Sequence, residues 1–319
     1  MSNGTIEGAI PDISPVPAGT KRPLWSVMIP TYNCEKYLEE TLSSVLAQAP
    51  GPAEMQIEVV DDCSTTDNPQ EIVRALGKGR VSFFRKQSNQ GAIRNFNTCL
   101  DRSIGHLVHV LHGDDTVASG YYDRISELAN LHKSIGLFAT RCFVIDEQSV
   151  VMSVTGRVEA LETPARTPAP FFYANPIQFA GVTVRRSAYE SVGGFRHELV
   201  HAADCEMWAR VIASCGGIVL KDVMASYRVF AGNDTGRLIR TGENIRDLCR
   251  LYEIYLNNYP DFLMKQARGY ASWMAWNQYA RFKKAKDQAA SSANYQVWRD
   301  ITPVKTQLRM AFKRIFQRD

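Results

Sequence analysis

The sequence predicts an α/β domain with a mostly parallel central sheet flanked by helices, followed by a C-terminal helical extension. Short apolar segments alternate with amphipathic segments over residues 24–111. The apolar segments have the length of buried strands, and the amphipathic segments carry apolar residues at helical spacing. This alternation is typical of parallel sheets with helices on both faces. The 319 residues, 45% of them hydrophobic, are enough for a large core.

The first half of the domain contains four predicted strands, at 24–30, 55–60, 81–84 and 107–111. Helices are predicted between them at about 35–48, 68–76 and 91–103, and another after them within 116–129. In the first helix Leu38, Leu42 and Val45 lie on one face. The strands are short and continuously apolar, as expected for strands buried on both faces.

The second half mixes strands and helices. Strands are predicted at 135–146 and 177–186, and the Pro-rich segment 162–176 between them is long enough to cover a site. A helix at about 204–214 and strands at 217–220 and 225–230 follow. We therefore predict a flexible N-terminal arm over 1–23, an α/β domain over 24–236 and a helical, basic extension over 237–319.

Composition narrows the class of protein. The seven cysteines are odd in number and form no C-x-x-C pair, which favours a reducing, cytoplasmic compartment over a disulfide framework or a zinc site. A net charge of +4 does not indicate a nucleic-acid binder. Basic residues with interspersed aromatic residues after position 280 predict either a peripheral contact with the inner face of a membrane or packing on the domain or on a second subunit.

Two pairs of carboxylates follow predicted strands. Asp61 and Asp62 come directly after the second strand, and Asp114 and Asp115 follow the fourth. The carboxyl ends of the strands form the ligand-binding edge of such sheets. Neighbouring carboxylates there need a cation or hydrogen-bond donors, so a metal–diphosphate site or a base and ribose site is predicted. The structural alternative for the second pair is a cap on the next helix.

Six motifs in order resemble the family 2 inverting glycosyltransferases, which have the GT-A fold. The motifs are SVMIPTYN (26–33), VVDDCSTTD (59–67), NQGAIRN (89–95), HGDD (112–115), VGGF (192–195) and ADCEMWARV (203–211). Each motif alone is weak, but their order is specific, and the resemblance covers residues 24–235. It implies transfer of a sugar from a UDP-sugar, or a dTDP-sugar, to a glycan or lipid-linked acceptor in surface polysaccharide synthesis.

The resemblance implies a nucleotide site at the first three motifs. Asp62 would accept the N3–H of uracil or thymine, and Glu35 would face the ribose. Asp61 would orient or cap the loop. The other nucleotide contacts that the resemblance implies are Pro30, Thr31, Tyr32, Gly91, Arg94 and Asn95.

The resemblance also implies a metal site and a catalytic base. Asp115 would bind Mn²⁺ or Mg²⁺ under the diphosphate, and Asp114 would contact the sugar or ribose and share the metal. Asp204, at the start of a helix, would take the proton of the acceptor hydroxyl, with Glu206 as the alternative base. Trp208 is either part of the core or a residue that stacks on a sugar.

The sequence departs from the family pattern at His112, where relatives often have Asp, and at Phe230, where they often have His. Arg228 is then a candidate phosphate partner. Two alternatives remain open. The departures are compatible with a nucleotide-sugar binding protein of impaired activity. The parallel sheet is also compatible with a nucleotidyltransferase, although this sequence lacks the Gly-rich basic loop that such an enzyme would have after the first strand.

Overall fold

The computed structural model describes residues 10–230, 232–255 and 260–308. They form two compact units. The larger unit contains residues 10–198 and 203–229, and the smaller contains 199–202 and the described residues from 230 onward. The larger unit therefore ends at Val229, a few residues before the boundary predicted at 236.

The larger unit is built on one mixed sheet of nine strands. The strands are β1 (Trp25–Thr31), β2 (Met55–Asp61), β3 (Ser82–Arg85), β4 (Leu107–Val110), β5 (Thr116–Val117), β6 (Leu137–Ile145), β7 (Val151–Val154), β8 (Val182–Arg185) and β9 (Gly217–Arg228). Their order in the sheet is β3-β2-β1-β4-β8-β6-β9-β5, and β7 pairs with β6. Strands β3, β2, β1 and β4 are mutually parallel, as are β6 and β9, whereas β8, β7 and β5 join antiparallel.

Helices flank this sheet because their apolar faces match its apolar surface. Leu38 and Leu42 of the first helix share a core with Trp25, Val27 and Ile29 of β1. All seven residues of β1 are buried, as expected for a strand with neighbours on both sides and packing on both faces. The helices are α1 (Glu35–Leu46), α2 (Pro69–Gly77), α3 (Ala92–Arg102), α4 (Tyr121–Leu131), α5 (Arg186–Val192) and α6 (Ala203–Cys215). The predicted α/β class is confirmed.

The smaller unit is helical and contains α7 (Asp234–Thr241), α8 (Glu243–Tyr255), α9 (Asp261–Lys284) and α10 (Gln288–Ile301). Asp247 of α8 is fully buried and accepts the backbone N–H groups of His201 and Ala202, each at 2.7 Å. Phe262 and Trp273 of α9 are 60% and 59% exposed. Across the described ranges, none of the helices combines the length and the apolar character that crossing a bilayer requires.

Several elements differ from the prediction. The two strands predicted at 217–220 and 225–230 are one twelve-residue strand, β9, because exposed Lys221 and Asp222 interrupt its apolar pattern without breaking its backbone. Strands β5 and β7 and helix α5 were not predicted. The four residues of β7 are all exposed, so they lack the alternation that marks a strand in a sequence.

Part of the predicted N-terminal arm packs on the larger unit. Ile13 is only 4% exposed, and the carbonyl of Pro11 accepts the N–H of Gly194 at 2.7 Å. Arg22 donates to the carbonyls of Ile104 and Gly105, each at 2.8 Å. Residues 10–23 therefore contribute contacts to the fold although they form no helix or strand, and residues 1–9 lie outside the described residues.

Gly105 allows a close approach to the central strand, which gives a stability prediction. A Cβ at this position would lie 2.5 Å from the carbonyl carbon of Trp25 and 2.6 Å from the nitrogen of Ser26. We expect Gly105→Ala to lower the free energy of unfolding by about 1–3 kcal/mol, because the strand backbone must shift. Gly51→Ala is the control, since no atom lies within 4 Å of its Cβ position. Equal urea midpoints for the two variants would contradict this account.

Candidate active site

An acidic loop follows β4 at the carboxyl edge of the parallel strands. Ligand atoms of His112, Asp114 and Asp115 lie within 4.8 Å of one another. Asp115 is 1% exposed, and its Oδ2 has no hydrogen-bond partner among the described residues. Burial, together with the neighbouring charge of Asp114, raises the pKa of Asp115 well above its ordinary value. These groups fit a divalent cation, which would neutralise both carboxylates and supply the missing partner of Oδ2.

The acidic loop does not cap a helix. Residues Thr116–Val117 form strand β5, and α4 begins only at Tyr121. Asp114 and Asp115 therefore lie too far before α4 to serve as its N-cap. The structural alternative that the sequence left open for this pair is excluded.

Arg228, at the end of β9, donates hydrogen bonds to the acidic loop. Its side chain is 0% exposed, and its Nε donates to the carbonyl of Asp114 at 2.9 Å. Its backbone N–H donates to Oδ1 of Asp115 at 2.9 Å. The Nη atoms donate to the carbonyl of Asp146 and to a carboxylate oxygen of Glu40 at 2.9 and 2.6 Å. This burial corrects the expectation that Arg228 contacts phosphate, because its donors are directed into the protein.

Asp61 and Asp62, after β2, have different surroundings. Asp61 is fully buried and binds Arg85 at 2.6 Å and the N–H of Ser64 at 3.1 Å, so it orients the loop. Asp62 is 1% exposed and accepts the N–H groups of Gln90 and Gly91 at 3.1 and 2.8 Å. Both carboxylates lie at the predicted edge, and protein donors already use most of their capacity.

Lys86 is a residue of this edge that the sequence analysis missed. Its Nζ lies 2.7 Å from Oδ1 of Asp62, and its side chain is only 7% exposed. It directly follows β3, and its backbone N–H continues the ladder to the carbonyl of Asp61. The end of β3 lies at the same edge of the sheet as the ends of β1, β2 and β4. The position of Lys86 directly after β3 is therefore the signal in the sequence that could have indicated it.

The remaining predicted nucleotide residues fall into two groups. Tyr32 is 45% exposed, and Arg94 and Gly91 are exposed, so these three can contact a ligand at the edge. The others are used by the protein. Thr31 and Asn95 are 3% and 2% exposed, Asn95 donates to the carbonyl of Val60, and the Glu35 carboxylate accepts the N–H of Asn68. Pro30 lies within β1, and its carbonyl accepts the N–H of Gly113 at 3.3 Å.

Asp204 and Glu206 of α6 differ in their exposure and in their ion pairs. Asp204 lies in the first turn, is partly exposed, and accepts the side-chain amide of Asn175 at 2.8 Å from the Pro-rich loop. Glu206 is 4% exposed and forms ion pairs with Arg196 and Arg210 at 3.3 and 2.8 Å. Glu206 is therefore held as a structural anion, and Asp204 is the carboxylate of this helix that remains accessible.

An aromatic cluster lies between the acidic loop and α6. The His112 ring stacks on Phe96 at 5.0 Å between ring centroids and contacts Phe179 at 4.5 Å. Trp208 contacts Phe179 and Phe195 at 5.1 and 5.8 Å and is 1% exposed. This burial corrects the expectation that Trp208 stacks on a sugar, because its ring faces are used inside the protein.

The family is decided by comparison with known sequences. The family described as "Glycosyl transferase family 2" matches residues 26–191, which include β1, β2, β4 and the acidic loop. The chain belongs to glycosyl transferase family 2. The resemblance drawn from the six motifs is thereby confirmed.

Several known proteins are similar to this chain over different lengths. A protein of Mycobacterium tuberculosis, described as uncharacterized, is 28% identical over 250 residues, or 75% of this chain and 77% of that protein. A glycosyltransferase of Mycoplasma genitalium is 27% identical over 48% of this chain, and the match spans only 54% of that protein. The putative teichuronic acid biosynthesis glycosyltransferase TuaG of Bacillus subtilis is 40% identical over 30% of this chain and 37% of its own length.

Solved structures share the fold of this family 2 protein. Staphylococcus aureus TarS, in complex with UDP-GlcNAc, aligns with 88% of this chain and 81% of its own, with a TM-score of 0.59 and 18% identity. The mannosyltransferase PcManGT from Pyrobaculum calidifontis, in complex with GDP-Man and Mn²⁺, aligns with 97% of this chain and 91% of its own, with the same TM-score and identity. These likenesses confirm the predicted GT-A type fold.

The buried Asp115 carboxylate gives a prediction for metal binding. We expect Asp115→Asn to abolish the rise in melting temperature that Mn²⁺ produces, because the replacement amide is a poor ligand. We also expect it to raise the melting temperature of the metal-free protein, since it removes a buried charge with an unpartnered oxygen. Thermal unfolding with and without Mn²⁺ measures both. Glu147→Gln, at a carboxylate that is 42% exposed, is the control, and an unchanged Mn²⁺ shift in Asp115→Asn would exclude the site.

Proposed function

We propose that this chain is an inverting glycosyltransferase that transfers a sugar from a UDP-sugar to a hydroxyl group of a glycan or lipid-linked acceptor. The observation that carries the proposal is the contrast between two carboxylates and their neighbours. Among the described residues, Oδ2 of Asp115 is buried without a hydrogen bond and lies 3.8 Å from Nδ1 of His112, and Asp204 is partly exposed. Asp61 and Glu206, by contrast, are held by arginines. The two carboxylates left for chemistry match the two tasks of this reaction, metal binding and proton removal.

A uracil base is supported by the number of donors that Asp62 can still accept. A carboxylate has about four acceptor positions. Lys86 and Gly91 each occupy one of them, and the Gln90 N–H is shared between both oxygens at 3.1 Å. At most one position remains, which suits the single N3–H of uracil or thymine. Guanine presents two adjacent N–H donors, one of which would lose its hydration without a partner. We therefore propose UDP as the donor nucleotide, with dTDP as the second candidate. The two solved neighbours are complexes with UDP-GlcNAc and with GDP-Man.

The acidic loop would hold Mn²⁺ or Mg²⁺ through Asp115 and Asp114, with His112 as a further ligand. Imidazole favours Mn²⁺ within this pair, because Mg²⁺ strongly prefers oxygen ligands. A bound cation would offset the charge of the departing diphosphate. The protein's own part is to keep Asp115 buried and oriented, which Arg228 does through the loop backbone.

Asp204 would act as the base that removes the proton of the acceptor hydroxyl. Inversion requires attack on the face opposite the departing diphosphate, so the base must come from a different element than the metal loop. Asp204 comes from α6, and Asn175 holds its Oδ2 at 2.8 Å. The first turn of a helix stabilises a charged carboxylate. The side chain also accepts the backbone N–H of Cys205 at 2.7 Å, and it is partly exposed, so an acceptor hydroxyl can approach it.

The acceptor and the cellular setting remain predictions. TuaG is named for teichuronic acid biosynthesis, and TarS is named as a poly(ribitol-phosphate) β-N-acetylglucosaminyltransferase, which supports a role in surface polysaccharide synthesis. The exposed Phe262 and Trp273 share α9 with five basic residues and one acidic residue. A peripheral contact with an anionic membrane and packing on a second copy are both compatible with that surface.

The nucleotide proposal is tested by thermal shift in Mn²⁺ with UDP, dTDP, CDP and GDP. We expect UDP to raise the melting temperature most and CDP or GDP least, because only the uracil and thymine edge presents one N–H between two carbonyl oxygens. Asp62→Asn should abolish the preference, since it replaces an acceptor with a mixed donor and acceptor. Equal shifts by UDP and GDP would contradict the assignment of Asp62 to the base.

The base proposal predicts a separation of binding from turnover. We expect Asp204→Asn to keep UDP affinity within about threefold and to lower the transfer rate by a factor of about 10² to 10⁴, the usual contribution of a general base. Calorimetry with UDP and a rate measurement on the same preparation test this. Asp222→Asn, at a carboxylate that is 51% exposed in β9, is the matched control and should keep its rate.

Three outcomes of the Asp204 experiment have different meanings. A fall in both quantities would make Asp204 a donor ligand or a structural residue. An unchanged rate would exclude it as the base. Donor hydrolysis that is absent in the unaltered protein, despite UDP binding, would instead support a nucleotide-sugar binding protein without transferase activity.

A further inference from the structure

Lys86 has donors that the protein does not use. Its ammonium group carries three N–H donors. Nζ pairs with Oδ1 of Asp62 at 2.7 Å, and apart from this ion pair it has no hydrogen-bond partner in the described parts of the chain. The side chain is 7% exposed, so water reaches the group poorly. A buried ammonium with unused donors loses much of its hydration energy unless an acceptor compensates it.

The position of Lys86 determines where that acceptor must come from. Lys86 directly follows β3, beside the exit of β2 that carries Asp62. The two N–H groups of the next loop, at Gln90 and Gly91, point to the same carboxylate. Asp62 thus lies between an ammonium group and a pair of backbone donors, at the edge where a ligand binds in parallel sheets.

We propose that Lys86 is a specificity-determining residue that donates a hydrogen bond to a carbonyl oxygen of the donor's pyrimidine base. The inference rests on the proposed function, because it concerns the base of the same nucleotide. Asp62 and Lys86 together present an acceptor next to a donor. The imide edge of uracil is the complement, since its N3–H lies between O2 and O4. Cytosine presents an acceptor at N3, which opposes Asp62, and a donor at N4, which would oppose Lys86 where the contacted oxygen is O4.

The alternative is that Lys86 serves Asp62 alone. In that case the ion pair fixes the carboxylate and the Gln90–Gly91 loop, and the base meets only Asp62. Both roles predict that removing Lys86 weakens UDP binding. They differ in whether the affinity lost by changing a base oxygen depends on the presence of Lys86. The test must therefore vary the ligand and the protein together.

The test measures affinities of UDP, CDP, 2-thio-UDP and 4-thio-UDP for the unaltered protein, Lys86→Met and Lys86→Arg by calorimetry in Mn²⁺. We expect Lys86→Met to bind UDP roughly 10- to 100-fold more weakly, the value of a hydrogen bond to a charged group. The preference for UDP over CDP should shrink by a similar factor. Replacing the contacted oxygen by sulfur, a poorer acceptor, should weaken binding to the unaltered protein but not to Lys86→Met.

The outcomes separate this inference from the proposed function. Thio substitutions that cost the same factor in the unaltered protein and in Lys86→Met would overturn the role of Lys86 while leaving UDP as the donor nucleotide. Failure of the unaltered protein to bind UDP would overturn both. If Lys86→Met does not fold, measurements on the unaltered protein remain decisive, because equal affinities for UDP, 2-thio-UDP and 4-thio-UDP would overturn the role of Lys86. Lys36→Met, at a lysine that is 62% exposed, is the control.

Discussion

The buried guanidinium of Arg228 is the interaction on which the geometry of the acidic loop depends. Two adjacent carboxylates in a largely buried loop repel each other and have lost part of their hydration, so an unbraced loop would open toward water. Arg228 counters this with a charge that cannot be titrated away and with a planar fork that reaches several acceptors at once. Its guanidinium donates to the carbonyls of Asp114 and Asp146 and to the carboxylate of Glu40 in α1, and so connects these three segments. The loop is thus fixed before any ligand arrives, and the oxygen that remains unpartnered is Oδ2 of Asp115.

The carboxylates of the larger unit show how the protein separates structure from chemistry. Asp61 and Glu206 are buried and held by arginine side chains, and such an anion costs little because its charge and its lone pairs are matched. Asp62 is intermediate, since three donors surround it and the Gln90 N–H is shared between its two oxygens. The fold thus matches some of its carboxylates fully and leaves others with contacts to make.

Much of the fold could be predicted from the sequence, because buried strands and amphipathic helices are local patterns. The strands β1, β2 and β4 and the carboxylates at their exits are read directly from segments of a few residues. The remainder depends on partners far apart in the chain. Nothing near Arg228 in the sequence indicates Glu40, nor does anything near Asp62 indicate that Lys86 approaches its carboxylate. The length of β9 was missed for a related reason: the residues on either side of its exposed middle pair with β6 across a register shift, and the local pattern does not contain that pairing.

The acidic loop and Asp204 come from distant segments, and an aromatic cluster connects them. The His112 ring packs against Phe96 and Phe179, which an ionised Asp at this position would not do without a large desolvation cost. Phe179 then contacts Trp208, which lies one helical turn after Asp204 on the same helix. A movement of the acidic loop would therefore disturb the packing around Trp208. Because protein interiors are close-packed, rings in contact cannot shift independently, so the cluster ties the position of the acidic loop to that of α6.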